Sequence, residues 1–599
     1  MRTAESSVAQ PGSARDKRYD DSGLIAPDCR GMNFYQADRA FRDLLPLYLP
    51  ADLLAHLQPH LERLGGLAGG RLDELAELAD KHPPVIQPRD RFGRDEDWID
   101  YHPAYREMER LAYGEFGIHA MSHRAGVLGW PAPMPTLAKY AFQYLFVQAE
   151  FGLMCPVSAT DTSAHLIIKF GDEALKARFV PRMLSQDMEQ ILKGTQFMTE
   201  KSGGSDVANF DTVATPSGDH WLLTGEKWFC SHIDGDVVML LARPEGAPDG
   251  SRGLALFAMP RRLADGRRNN YRYVRLKDKL GTRSMATGEI VLEGALAYLV
   301  GDQTKGLKQM MDQVNLSRLS HGVRAAAMMR RCLNESVVVA RNRVAFDKTL
   351  VHLPLMRRQL TKIMLPTEQA LSFFLFTAST MDQERAGHAQ AGQVLRILTP
   401  LLKFRSARDN ITVATAAMEV RGGNGFVEDW VNARLVRDAH TGVLWEGTSS
   451  INALDVVTRA VRKQKAHQAL GSALQRLLAE ASAAPAAFRA TVGDRVRQAI
   501  SFAQAVADDE TRERHSRTAA SALYHATCAA LMTWEGARVG AQGGDARRLL
   551  LARLLLAHRL SPRDPLALQE DTWEEQAIDL LLRDDPVPLQ QAAELVTRA

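Results

Sequence analysis

Three segments of this sequence hold residues whose types and spacing can do chemistry. In FMTEKSGGSDV (197–207), the hydroxyls of Thr199 and Ser205 flank the adjacent glycines Gly203 and Gly204. Glycines let the backbone approach a ligand closely, and the hydroxyls donate or accept hydrogen bonds. In GEKWFCS (225–231), Trp228 and Phe229 stand beside Ser231, an aromatic face next to a hydroxyl that suits a flat, hydrogen-bonding ring system. The third segment runs from MEVRGGNGFVEDW (418–430) to LWEGTSSI (444–451). RGGNGF is a glycine-dense break of the kind that accepts an anion. Glu446 sits between Trp445 and Gly447, where desolvation lifts a carboxyl toward the working range of a general base. Each segment also has a plain structural reading: a surface loop, core aromatics in a strand, and a helix-terminal Glu beside a capping Thr448.

The elements that must position these segments show as changes of texture. After a polar arm (1–30), residues 31–194 carry apolar residues at i, i+3 and i+4, as in ADLLAHLQPHLERL, and predict helices. Alternation of apolar and polar residues, broken by SGD and EGAPDGS turns, predicts a β-rich unit over 195–302. The helical period returns over 303–465, and a last Ala/Leu/Arg-rich helical block spans 466–599. A chain of 599 residues implies three or four domains, and the fold class read from this order is α+β, mostly α.

Composition excludes several classes. At 45% hydrophobic and 24% charged the chain has an ordinary globular make-up, and a net charge of +3 gives no global argument for nucleic acid or membrane. No stretch reaches the ~20 apolar residues of a membrane span. The first 24 residues have no apolar signal core, and the five scattered cysteines suit reduced thiols, so a cytoplasmic protein is expected. The sequence has no GxGxxG, GxxxxGK[ST], HExxH or GxSxG motif, and the 17 histidines show no metal-ligand spacing, so no metal centre is expected.

Taken together and in order, the segments resemble the acyl-CoA dehydrogenases, a family of FAD enzymes, over roughly 100–460. MTEKSGGSD is similar to the family's TExxxGSD signature, EVRGGNGF to its Q-x-x-GGxG and WEGTSSI to its YEGT. HPAY (102–105), KWFCS, RLKDKLGTRS (275–284), AMMRR (327–331), PLMR (354–357) and LWEGT resemble the AidB-like branch. The resemblance implies an N-terminal helical domain, a middle β-barrel and a C-terminal four-helix bundle, here with an extra helical domain after it. It implies FAD as cofactor and α,β-dehydrogenation of an acyl-CoA, with Glu446 as catalytic base. Some family members carry the base before an Arg in the first bundle helices; here Ser317 precedes Arg318, so Glu446 is the base if there is one.

For cofactor binding the resemblance implies Met198, Thr199, Gly204 and Ser205 of the first segment, and Phe229, Cys230 and Ser231 of the second. It adds Arg343 and Phe346 of NRVAFD, similar to an RxxFG motif that reaches the FAD of a neighbouring subunit, although Asp347 stands where that motif has Gly. Gly422, Gly423, Thr448 and Ser450 complete the set, with Glu419 and Arg421 replacing the family's usual Gln and Leu. Shared FAD sites imply a homotetramer built as a dimer of dimers. Two alternatives stay open: an AidB-like flavoprotein that binds double-stranded DNA with little acyl-CoA activity, and an acyl-CoA oxidase. The block 457–599 is nearly balanced in charge, but TRAVRKQKAH (458–467) and ARRLLLARLLLAHR (546–559) are basic stripes that phosphates could engage.

Overall fold

Leucines three and four residues apart (Leu53, Leu57, Leu61, Leu64) wind Ala51–Ala68 into a helix that buries one face. In the computed structural model, which describes residues 25–207, 209–562, 564, 566 and 572–598, helices of this kind fill the chain up to Met183 apart from one hairpin. Residues 1–24 of the expected arm lie outside the described residues. The hairpin is formed by β1 (Val85–Arg89) and β2 (Asp95–Asp100). The most apolar stretch forms α1 (Thr136–Val147), buried along its whole length, followed by α2 (Met154–Phe170).

The alternating region folds into a small closed barrel. Its strands are β3 (Gly194–Phe197), β4 (Val213–Ser217), β5 (His220–Ser231), β6 (Val237–Pro244), β7 (Ala255–Pro260), β8 (Tyr271–Leu276) and β9 (Thr287–Leu299). Pairing runs β6–β4–β5–β9–β7 and returns to β6, with β3 added parallel to β6 and β8 antiparallel to β9. β6 and β7 are apolar on both faces, because one lines the barrel and the other is covered by helices.

Three long helices follow: α3 (Gly306–Asn342), α4 (Pro354–Arg385) and α5 (Ala391–Arg421), packed along one another. Between α3 and α4 a short hairpin, β10 (Val344–Ala345) with β11 (Lys348–Thr349), projects from the bundle. The fourth member of the bundle is interrupted. It consists of α6 (Val431–Ala439), a turn through Glu446, α7 (Ser449–Leu454) and the wider-wound stretch Asp455–Lys463. α5 ends at Gly422, whose φ of +76° closes the helix in the way a glycine after the last turn commonly does.

The last block is helical and docks on the bundle through α8 (Ser516–Ala541) and α9 (Arg547–Arg559). Three of the four arginines of α9 turn inward, and Arg559 stays exposed. Arg548 is buried, Arg547 pairs with Asp545, and Arg553 donates to the Val596 carbonyl while lying over the Trp573 ring. Stripe periodicity alone cannot tell a solvated face from one whose guanidinium groups meet buried carboxylates, and here the second holds. No described helix is long and apolar enough to cross a membrane.

Candidate active site

A cavity of about 780 Å³ opens between the barrel and the bundle. It is lined by the loop after β3, the end of β5, the loop 279–287, α2, α3 and the turn through Glu446.

The loop after β3 is fixed by a residue buried beneath it. The Glu200 carboxylate accepts from the backbone N–H groups of Asp211 (2.6 Å) and Thr212 (3.2 Å) and from the Thr212 hydroxyl (2.6 Å). It also pairs with the buried Lys227 ammonium at 2.5 Å. With Glu200 tied down, Met198, Thr199, Gly204 and Ser205 face the cavity, and Trp228 N–H donates to the Thr199 carbonyl to join loop and strand. On β5, Phe229 and Ser231 face the cavity while Cys230, between them, points into the core, as strand alternation requires. The Phe229 ring is 53% exposed, a bare aromatic face at the cavity wall.

The far end of the cavity holds Glu446. Its φ of +49° is left-handed, a strained conformation for a non-glycine residue that persists only where its surroundings impose it. Here they do. Arg318 Nε donates to the Glu446 carbonyl at 3.1 Å, Asn452 Nδ2 donates to the Gly447 carbonyl at 2.8 Å, and Lys403 Nζ donates to the same carbonyl at 2.5 Å. The turn thereby aims the carboxyl into the cavity, where its Oε2 is buried and makes no hydrogen bond among the described residues. Burial lifts the Glu446 carboxyl above its ordinary range against the opposing pull of Arg324, Lys403 and Arg318.

Beside it, His321 Nδ1 lies 3.7 Å from Glu446 Oε2, and burial holds that imidazole neutral by lowering its pKa far below its ordinary value. Burial also brings the Lys403 and Lys279 ammonium groups down to about 8. Lys279 donates to the Thr282 and Met285 carbonyls and to the Thr282 and Thr287 hydroxyls, which shapes the loop 279–287.

Of the residues singled out in the sequence, the cavity brings together Met198, Thr199, Gly204, Ser205, Phe229, Ser231 and Glu446. Cys230 is in the barrel core, Thr448 caps α7 by accepting from Ile451 N–H, and Ser450 faces solvent. Arg343, Phe346, Gly422 and Gly423 do not line the cavity. They cluster at the β10–β11 hairpin, where Arg343 Nη1 donates to the Arg421 carbonyl. Glu200, Lys227, Lys279, Arg318, His321, Arg324 and Lys403 also shape the site, although sequence pattern gave none of them a role there. None of them carries a local signal, since each becomes distinctive only when the fold buries it.

The walls suit a flavin. Besides Phe229 and the three hydroxyls, the buried Gln196 Oε1 and His232 Nδ1 have no hydrogen-bond partner among the described residues, so polar atoms remain free along the cavity.

One neighbour of the site has a pH signature. Asp438 accepts from Thr282 N–H at 2.6 Å, and burial beside Asp80 and Glu150 raises its carboxyl to about 7. A carboxyl raised in the folded state costs nothing below its unfolded value and destabilises progressively as pH rises through about 7. Asp438→Asn keeps the acceptor, so it should raise the unfolding midpoint at pH 8, and the gain should vanish as the pH approaches 4. An equal gain at both pH values would show that Asp438 is not held neutral.

The chain was compared with known proteins. Residues 25–190 match the profile "Adaptive response protein AidB N-terminal domain", 195–295 match "Acyl-CoA dehydrogenase, middle domain", and 304–462 match "Acyl-CoA dehydrogenase, C-terminal domain". The chain is 31% identical over 403 residues to the putative acyl-CoA dehydrogenase AidB of Escherichia coli K12, covering 65% of this chain and 71% of that one. It is 29% identical to acyl-CoA dehydrogenase family member 11 of Caenorhabditis elegans, covering 74% and 73%. The crystal structure of C. elegans ACDH-11 in complex with C11-CoA superposes with a TM-score of 0.83 at 25% identity, covering 92% of this chain and 96% of that one.

Proposed function

Because this chain belongs to the acyl-CoA dehydrogenase family of FAD-dependent oxidoreductases, in its AidB-like branch, we propose that it dehydrogenates an acyl-CoA thioester between Cα and Cβ with Glu446 as the base. The observation that carries this reading is the Glu446 carboxyl, its buried Oε2 unpartnered among the described residues, facing the same cavity as Thr199, Ser205, Phe229 and Ser231.

Thr199, Ser205 and Ser231 would hold the polar edge of the flavin, and Phe229 would face its ring. Bound FAD supplies a two-electron acceptor for the hydride that leaves Cβ. Glu446 takes the α-proton as the double bond forms, and its desolvation makes it a stronger base than a carboxylate in water. Arg318, Lys403 and Asn452 keep the carboxyl aimed by fixing the strained turn. His321, neutral and in contact with Phe151 and Trp445, helps to exclude water from the base.

The test is an anaerobic titration of the FAD-loaded protein with a panel of acyl-CoAs. Bleaching of the flavin supports the reading, and a flavin untouched by every thioester overturns it. The oxidase alternative differs only in the electron acceptor, which oxygen consumption by the reduced protein decides. For the DNA-binding alternative, Arg547, Arg548 and Arg553 of α9 are engaged inward, which leaves Arg559 and the 458–467 stripe, with Arg459, Lys463 and Lys465 exposed, as the basic surface it would use.

A shared FAD site is part of the same proposal. Phe346 is 86% exposed, and Val344, Leu355 and Phe426 are exposed with it around Arg343 and Gly422. So much bare apolar surface suits coverage by a second copy, with Arg343 then reaching that copy's cofactor. Phe346→Asp should therefore shift the protein to a smaller species in size-exclusion chromatography with light scattering and lower its FAD content. An unchanged mass and full FAD content would overturn the shared site.

A further inference from the structure

Arg324 has no assigned role in the reaction above, yet it lines the cavity. Its side chain is 2% exposed and lines the cavity with Cys155 and Ser158 of α2. The plane of the guanidinium is held by aromatic rings, with its carbon 5.2 Å from the Phe151 ring centre and 5.7 Å from that of Trp445. Two of its nitrogens, Nε and Nη1, are buried and have no hydrogen-bond partner among the described residues, while the group also hydrogen-bonds the Cys155 thiol. A desolvated guanidinium with unmade hydrogen bonds is costly, so such a group is normally found paired.

The nearby carboxylate does not satisfy it. Arg324 Nη2 stands 4.0 Å from Glu446 Oε1, beyond hydrogen-bond reach, and Glu446 Oε2 is itself unpartnered. A guanidinium serving only as counter-ion to Glu446 would close on it in the short, two-pronged geometry such pairs prefer. The two groups instead stand apart, both facing the cavity. The charge at this end also leaves room for another anion. Among the described residues, Arg318, Arg324, Arg396 and Lys403 meet two carboxylates there, Glu446 and Asp455, and Arg318 and Arg396 share the second of these.

Resting on the dehydrogenase reading, we propose that Arg324 binds an anionic oxygen group carried by the acyl chain, such as a second carboxylate. The substrate is then a short, acid-terminated acyl-CoA. Because Arg324 lies next to the base, the bound group sits within a few carbons of Cα. Glu446 then works on the same short chain whose far end Arg324 holds, and the Trp445 ring lines the cavity beside the carbons between.

The test compares glutaryl-CoA with pentanoyl-CoA, which have the same number of acyl carbons and differ in the terminal carboxylate. Binding is measured by calorimetry in FAD-loaded Glu446→Gln, where no turnover follows, and flavin reduction is measured anaerobically in the wild-type protein. Glutaryl-CoA should bind on the order of 10²-fold tighter than pentanoyl-CoA. Adding Arg324→Met should erase that preference while pentanoyl-CoA binding stays within about threefold, and Arg324→Lys should keep part of it. The lysine variant and the FAD content of each protein separate a lost contact from a lost fold. Equal or tighter binding of pentanoyl-CoA, or an equal loss for both thioesters in Arg324→Met, would overturn the proposal. Tight, Arg324-dependent glutaryl-CoA binding without flavin reduction by any thioester would uphold the contact and overturn the dehydrogenase reading. Reduction by pentanoyl-CoA alone would do the reverse.

Discussion

Glu446→Gln should bind FAD and fold as the wild type does, yet lose flavin reduction by acyl-CoA by about 10²–10⁴-fold or more, the usual worth of a positioned base. Glutamine fits the same space and is neutral, so the turn held by Arg318, Lys403 and Asn452 stays intact. The loss should fall on the rate of bleaching, with little change in thioester binding, because the carboxylate acts on the α-proton. The wild type carries its own control in pH. Burial raises the Glu446 carboxyl, and only its ionised form accepts a proton, so reduction should slow as pH falls through that raised value. Glu446→Asp should recover part of the rate with the same pH trend. If Glu446→Gln bleaches at the wild-type rate, the base lies elsewhere.

The placement of this base separates what the sequence discloses from what it hides. The apolar neighbours of Glu446 and the hydroxyl–glycine pattern of 197–207 are local features, so both could be read from the chain. The barrel and the long helices were also legible, because the alternation in YRYVRL and the helical period in α3 each depend only on nearby residues. Arg324 was hidden by its surroundings. In LSHGVRAAAMMRR a lone arginine reads as one solvated position, and only the approach of α2 and the Trp445 turn shows that it is desolvated. Glu200 and Lys227 were hidden in the same way, since a Glu in a loop and a Lys in a strand are ordinary until the fold buries them together. The left-handed φ of Glu446 leaves no mark in composition at all, because the restraint comes from residues 6, 43 and 128 positions away. Cys230 shows the opposite limit. It lies inside a motif, yet strand alternation sends its side chain to the other face.

The arginine stripe of α9 leads to the largest expected loss of stability. Arg548 Nε donates to Glu535 at 2.6 Å and Nη1 donates to Glu368 at 2.7 Å, and the group also contacts the Ser372 hydroxyl. Glu368 in turn accepts from Arg330 at 2.5 Å, and Arg330 pairs with Asp38 at 2.9 Å, which also accepts from Tyr144 at 2.7 Å. Glu535 accepts from Tyr48 at 2.9 Å as well. These buried groups tie the first helices, α1, the long bundle helices and α8–α9 into one network. Arg548→Met removes the cation that two buried carboxylates share, so the cost should be about 3–5 kcal/mol, the range for breaking a buried ion pair from one side. The penalty comes from the carboxylates left behind, so neutralising them should recover much of it. Arg548→Met combined with Glu535→Gln and Glu368→Gln should be clearly more stable than Arg548→Met alone, a non-additivity that a simple loss of packing would not produce. Urea unfolding of the three proteins, followed by tryptophan fluorescence, checks this through Trp534 of α8, whose indole N–H donates at 3.1 Å to Glu480 at the end of the helix Ala466–Glu480. If the triple variant is no more stable than Arg548→Met, the network is not what holds α8 and α9 to the bundle, and apolar packing against α4 carries that interface instead.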